Sequence, residues 1–300
     1  TRYNVVTGVQ TCALPISPIS GNHFLEIGVV DRIVDADAAA VYGLREGQVT
    51  LMIHSGSRGL GYQVCDDFLQ VMMRAAARYG LDLPDRQLCC APVKSHPGRE
   101  YLAAMAAAAN YAWANRQIMM HLARKSLEQT LGTPAAPLDV RLVYDVCHNI
   151  AKFEMHEING ERRRLCVHRK GATRAFPGDR EEVPDAYRHV GQPVLVPGDM
   201  GTGSWVCAGT GKAMRETFGS ACHGAGRVMS RTSARKGENA AALLRELEEQ
   251  GVIVMARSKK TVTEESPSAY KDIDAVTAVL DTAGIARRVA RIRPTGVVKG

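Results

Sequence analysis

No cysteine of this chain stands in a Cys-x-x-Cys pair, although there are eight. A structural zinc knuckle and a dithiol redox motif are therefore excluded. A chain of 300 residues also has no need of disulfide stapling, and reduced thiols in a cytoplasmic setting are the simplest expectation. No apolar run is long enough to span a bilayer, so no membrane partner is expected. Aromatic residues make up only 5% of the chain, which leaves few platforms for stacking bases, and neither an RRM nor a KH signature occurs. There is no Gly-Lys-Ser/Thr after a glycine loop and no full Gly-x-Gly-x-x-Gly, so P-loop and Rossmann readings are weak. What remains is a globular composition, 45% hydrophobic, with a net charge of +7 that favours a polyanionic partner.

The stretch Val5 to Ser17, VVTGVQTCALPIS, has neither helical nor strand periodicity. It resembles the in-frame translation of a sequencing-library adapter. Residues 1–20 are accordingly expected to be a non-native leader without specific packing, and 21–300 the genuine domain. Along that domain, VTLMIH followed by a glycine-rich loop and an amphipathic segment reads as strand, loop and helix. Arg99 to Leu131 reads as one long helix, with the apolar run at 117–122 as core. VRLVYDVCHN reads as a strand ending at His148 and Asn149. The segment around Asn159-Gly160 reads as a hairpin with a type I′ turn. Pro193 to Gly209 reads as two strands around a glycine loop. Glu238 to Gln250 reads as a helix stopped by Gly251. Strands and helices alternate without a βαβ rhythm, which predicts an α+β fold of mixed sheets flanked by helices in a single compact domain.

Several loops combine glycine, hydroxyls and histidine or arginine: GNHFLE, HSGSRGLG, CHN, PGDMGTGS and HGAGR. In HGAGR, His223 precedes small residues that bare the backbone, followed by cations suited to phosphate. Taken alone, His223 could be a general base, a metal ligand or a nucleophile. His54 and His148, at strand ends, suit ligation by neutral imidazole. His156 and His121 are expected on a hairpin surface and a helix surface. Arg162, Arg163 and Arg164 read as a solvated face with a lesser claim to RNA contact. A metal-dependent phosphoesterase or cyclic phosphodiesterase, and a non-catalytic RNA-binding module, both fit the composition. Only covalent nucleotide transfer needs a nucleophilic His223.

The order and wording of these loops from Gly21 to Gly300 resemble the RtcB family of RNA ligases. The resemblance implies joining of RNA 2′,3′-cyclic phosphate or 3′-phosphate ends to 5′-hydroxyl ends, with GTP and two Mn²⁺ ions as cofactors. It implies RNA, such as broken or spliced tRNA, as partner, with archease as an activating protein. By the same resemblance His223 is the nucleophile that becomes guanylylated. His23, His54 and His148 match metal-binding histidines. Asn22, Glu26, Asn149, Asp199, Ser204, Ala225, Gly226, Tyr270 and Lys299 match nucleotide-contacting positions, with Asp199 standing where some members have serine. Arg58, Arg227 and Arg231 match positions suited to RNA phosphate. The family's Asp-x-Gly-Cys motif does not precede Gly21, so the chain is expected to carry an incomplete metal centre and little ligase activity.

Overall fold

The computed structural model describes residues 4–8, 23–85 and 88–299. Among the described residues the contacts divide the chain into two units, one of 4–8, 23–54 and 123–299, the other of 55–85 and 88–122. The class is α+β, as expected.

The first unit is built on a mixed sheet. Its strands are β1 (Asn4–Gly8), β2 (Phe24–Ile33), β3 (Val49–His54), β4 (Arg141–Leu142), β8 (Pro193–Pro197), β9 (Ser204–Gly209), β11 (Ile253–Ala256) and β12 (Ala286–Lys299). They run in the order β4-β1-β3-β2-β12-β9-β8, and β11 also pairs with β12. The pairs β1–β3, β1–β4 and β11–β12 are parallel, and the others antiparallel. Asn4 to Gly8 lie beside Thr50 to His54 in register. The expectation that residues 1–20 have no specific packing therefore fails for these five, while 9–20 lie outside the described residues.

β12 was not legible as a strand because Pro294 and Gly296 interrupt it. The pairing with β2 shifts register between these two residues, and a bulge is where a central strand tolerates proline. The strand expected to end at His148 is also shorter. Only Arg141–Leu142 pair, after which Val143 and Tyr144 turn into the core and the Tyr187 hydroxyl donates to the Val143 carbonyl at 2.5 Å. His148 lies in the connection before β5.

β5 (Asn149–Ile158) and β6 (Glu161–Lys170) form the expected hairpin. Asn159 and Gly160 have φ of 51° and 81°, the left-handed pair that a type I′ turn requires. β7 (Ala172–Arg174) pairs with β10 (Ser220–Cys222). Helices α1 (Ala36–Tyr42), α4 (Ala135–Leu138), α5 (Gly211–Glu216), α6 (Arg231–Gly237), α7 (Ala240–Glu249), α8 (Lys259–Glu264) and α9 (Ile273–Thr282) complete the unit. Asp35 caps α1 through Ala38 N–H at 3.0 Å, and α7 ends before Gly251 at φ 80°. One core gathers Val30, Met52, Leu195, Val206, Leu247 and Ile292. A second surrounds the fully buried Trp205, whose indole N–H donates to Asp274 at 2.7 Å.

The second unit comprises α2 (Arg58–Arg78) and the 96–122 part of α3 (His96–Leu131). α3 starts three residues earlier than expected, where the Ser95 hydroxyl accepts from Gly98 N–H at 3.2 Å. Phe68 and Tyr101 rings meet at 5.3 Å. The 117–122 run is not core as expected: Met120 is buried but Ile118 and Leu122 are exposed. Among the described residues no helix is long and apolar enough to cross a membrane.

Candidate functional site

One end of the sheet assembles the site. β2 begins and β3 ends there, since Phe24 lies opposite His54, and β12 ends there, since Lys299 lies opposite Phe24 on its other edge. His23, just before β2, and His54, last of β3, are thereby neighbours, with ring centroids 6.4 Å apart. His148 lies 5.1 Å from His54, and His223 lies 6.2 Å from His54. His148 and His223 are stacked, 4.3 Å apart and 7° from parallel. Four imidazoles from four separate segments thus meet at one place.

His54 is enclosed, and its Nδ1 has no hydrogen-bond partner. Burial holds its pKa well below the ordinary imidazole value, reinforced by the neighbouring His148, His23 and His223. A neutral, unpartnered ring nitrogen is what a divalent transition ion takes. Among the described residues no three His, Cys, Asp or Glu side chains stand in a ready ion-binding arrangement. The rings are stacked or edge-on to one another instead of aimed at one point. In chemical type, neutral imidazole nitrogens, the donor set suits such an ion.

His223 follows β10, and its ring lies against Gly171, where a Cβ would come within 3.5 Å of Cε1. Gly171 has φ 66° and its N–H donates to the Asn149 side-chain oxygen at 2.9 Å. Asn149, exposed at the base of the hairpin, therefore fixes the turn that carries the backbone against His223. Burial lowers the His223 pKa, a hydrogen bond with the Gly171 backbone opposes this, and Lys170 adds to the lowering. The glycines beside His223 differ in purpose. Gly224 is crowded, since a Cβ would stand 3.2 Å from the Pro197 carbonyl, whereas Gly226 needs its φ of 77° and faces open space. Ala225 is buried and donates to the same Pro197 carbonyl at 3.0 Å.

Beside the imidazoles lies a small pocket whose walls include Phe24, Glu26, Asp199, Glu265, Tyr270 and Lys299. The Phe24 ring joins it to the cluster, 5.3 Å from His54. Glu26 is 2% exposed and Lys299 5%. Burial pushes the Glu26 carboxyl up to about 8, Asp199 adds to the rise, and Lys299 opposes it. Its Oε1 has no hydrogen-bond partner. Burial lowers the Lys299 pKa, against the pull of Glu265 and Glu26.

Asp199 serves its own loop: its carboxylate accepts from Gly201 and Thr202 N–H at 2.8 and 2.9 Å and from the Thr202 hydroxyl at 2.6 Å. Ser204, fully buried, accepts from Gly198 N–H at 3.4 Å. Tyr270 donates to Glu265 in a short hydrogen bond, and burial raises its phenol pKa, with Glu265 adding to the rise.

Arg227 and Arg231 are drawn inward. Both reach Glu265 at 3.3 Å, and Arg227 also donates to the Tyr270 hydroxyl at 3.0 Å and the Glu264 carbonyl at 2.6 Å. Asn22 lies outside the described residues. Arg58 belongs to the second unit, where it has φ 52° and donates to Ser55 at 3.4 Å.

Sequence reasoning missed two groups. Glu265, 2% exposed, gathers Lys299, Tyr270, Arg227 and Arg231, yet in the sequence it is one of several acids near a helix end. His156, expected on the surface, is 3% exposed and lies 3.2 Å from Glu154, which is paired to a buried Arg169. Both hairpin faces mix apolar with polar side chains, Ile150, Leu165 and Val167 on one and Phe153, Met155 and Cys166 on the other, so alternation could not tell inner from outer.

Residues 17–300 match the model of the family described as tRNA-splicing ligase RtcB. The tRNA-splicing ligase RtcB of Archaeoglobus fulgidus is 55% identical over 281 residues, 94% of this chain and 58% of that protein. Its counterpart in Thermococcus kodakarensis is 53% identical over the same shares. That of Pyrococcus furiosus is 54% identical over 94% of this chain but 29% of that protein. This chain thus spans a little over half the length of the first two. With that identity over nearly all of its length, and with the loops that carry the resemblance converging at one end of one sheet, the chain belongs to the RtcB family.

Proposed function

We propose that the chain is the nucleotide-transfer portion of an RNA ligase in which His223 is guanylylated by GTP and RNA 3′-phosphate or 2′,3′-cyclic phosphate ends are joined to 5′-hydroxyl ends. The observation that carries this reading is His223 itself: a ring held by the Gly171 backbone, stacked on His148 and near His54, three residues before Gly226, which has open space beside it.

In the first step a His223 ring nitrogen forms a bond to the α-phosphorus of GTP as the bond to the bridging oxygen breaks and pyrophosphate leaves. An oxygen of the RNA 3′-phosphate then takes the guanylyl group and frees His223. The 5′-hydroxyl attacks that activated phosphate, and GMP leaves. A cyclic phosphate is first hydrolysed to a 3′-phosphate. His23, His54 and His148 would hold Mn²⁺, which supplies Lewis-acid polarisation of phosphate oxygens. Glu26 and Lys299 pair a carboxyl with an ammonium in the adjoining pocket, a match for the donors and acceptors of a guanine edge. Asn149 keeps Gly171 against His223, and Ala225 and Gly226 leave room for the nucleotide. Arg58, Arg227 and Arg231 are assigned to RNA phosphate. Arg227 and Arg231 would reach it by exchanging Glu265 for the RNA.

Incubation of the chain, with the family's Asp-x-Gly-Cys segment restored, with GTP labelled in its α-phosphate and Mn²⁺ tests the reading. Acid-labile label is expected on the protein and is expected to vanish in His223→Ala. Undiminished labelling of that variant would overturn the assignment. An unlabelled chain that opens cyclic phosphate would be a phosphodiesterase instead.

A further inference from the structure

The hairpin carries a charge pattern that the nucleotide chemistry does not use. Antiparallel partners share a face, so the register separates its residues cleanly. One face holds the buried Arg169 and Glu154. The other holds Lys170, His168, Arg164 and Arg162 at every second or fourth position of β6, all exposed. A single acid, Glu157, lies opposite Arg162 on that face. Near its centre Phe153 is 40% exposed, with the Arg164 guanidinium 4.9 Å from its ring centroid. By contrast Arg163 projects from the opposite face and is already paired with Glu161 at 2.7 Å.

The stripe starts at the site. Lys170 pairs with Asn149 and precedes Gly171, which abuts His223, while His148 precedes Asn149 and stacks on His223. From Lys170 to Arg162 the strand covers about 26 Å, with about 6.6 Å between alternate residues. Arg162 and Arg164 at that repeat, with Lys170 about 20 Å further along the strand, can follow an extended polyanion, and the Phe153 ring among them offers a face to any base. The stripe is one strand wide, which suits a single strand better than a duplex.

We propose that the outer face of the β5–β6 hairpin is a track for single-stranded RNA, holding the segment that leads away from the end placed at His223, with Lys170, Arg164 and Arg162 on phosphates and Phe153 under a base. This rests on the reading of the chain as an RNA-joining enzyme.

The test is fluorescence anisotropy with a labelled single-stranded RNA of about a dozen nucleotides, titrated at several salt concentrations. The logarithm of affinity falls with the logarithm of salt by roughly 0.7 per phosphate neutralised on a single strand. Arg162→Ala with Arg164→Ala is therefore expected to flatten the slope by about 1.4. Arg163→Ala, on the other face, should leave it unchanged. Phe153→Ala should weaken binding roughly tenfold, with Phe153→Tyr restoring it. If the double variant keeps the full slope, or if Arg163→Ala flattens it equally, the track is wrong and the stripe is left to an acidic protein. If the unaltered chain binds no RNA, the RNA-joining reading fails together with the track.

Discussion

Replacing Arg169 with methionine is expected to remove about 3–5 kcal/mol of stability at neutral pH, the usual cost of stranding one partner of a buried ion pair. Arg169 and Glu154 are each 4% exposed and meet in a fork, with both guanidinium nitrogens 2.8 Å from the carboxylate oxygens. The same guanidinium donates to the Ser220 hydroxyl at 2.8 Å and the Phe218 carbonyl at 2.9 Å. It thus ties the hairpin to β10, three residues before His223. Burial alone would raise the Glu154 pKa, but the hydrogen bond and charge of Arg169 more than offset this and leave it lowered.

The sign of the pH dependence follows. A lowered folded pKa contributes stability that is present above the unfolded carboxylate value and is lost as pH falls through the folded one. In Arg169→Met the carboxyl loses its partner and its pKa rises, so the variant loses stability as pH climbs. The gap between the two proteins should therefore be wide at pH 7 and narrow near pH 4. Urea melts at both pH values measure it. A second change, Glu154→Gln, should return part of the loss, because the stranded charge is gone. A deficit below about 1 kcal/mol at pH 7 would mean that water reaches the pair and that it behaves as a surface bridge.

That buried network illustrates where the sequence was legible and where it was not. The hairpin was legible because Asn-Gly is one of few dipeptides that accept two successive positive φ values, so the turn is encoded locally. His54 at the end of an apolar strand was legible for a similar local reason: VTLMI is short, partly β-branched and followed by a glycine-rich loop, which reads as a buried strand. The burial of His156 was not, because both hairpin faces mix apolar and polar residues and packing against Phe176 and Phe218 decides which is inside. β12 was hidden by Pro294, which the sheet absorbs as a bulge. The stacking of His148 on His223 depends on how two distant connections meet, which no local pattern encodes. The gathering of the loop histidines followed from the resemblance; their individual spacing carried little of it. Glu265 had no signal at all, since a carboxylate that organises four partners is written like one facing water.

The pocket acid sets up the other large effect. Glu26→Gln is expected to stabilise the chain at pH 8 by several kcal/mol, at about 1.4 kcal/mol for each unit by which burial has raised the acid. The folded carboxyl titrates near 8, whereas the ordinary glutamate value is 4.5. A raised folded pKa contributes stability that is complete below the unfolded value and is lost as pH climbs through the folded one. Between those two pH values the unfolded chain is ionised at this position and the folded chain is not, so each rise in pH favours unfolding. Glutamine is neutral throughout and removes the dependence. Lys299 keeps a counter-charge in the variant, because Glu265 lies 3.8 Å from its ammonium. Melts of both proteins from pH 5 to 9 should therefore nearly coincide at the acid end and diverge steadily until about pH 8, above which the difference levels off. A binding pocket commonly keeps such a destabilising group because the ligand needs it, and removal then raises stability while impairing function. On the proposed reading guanine's N–H groups would draw the ionised form of Glu26, so adding GTP near pH 7 should release a proton to the buffer from this group in the unaltered protein and none in the variant, where affinity should also fall. Parallel stability curves across the whole range would show that Glu26 is ionised in the folded chain at pH 6, and that water or Lys299 compensates its burial.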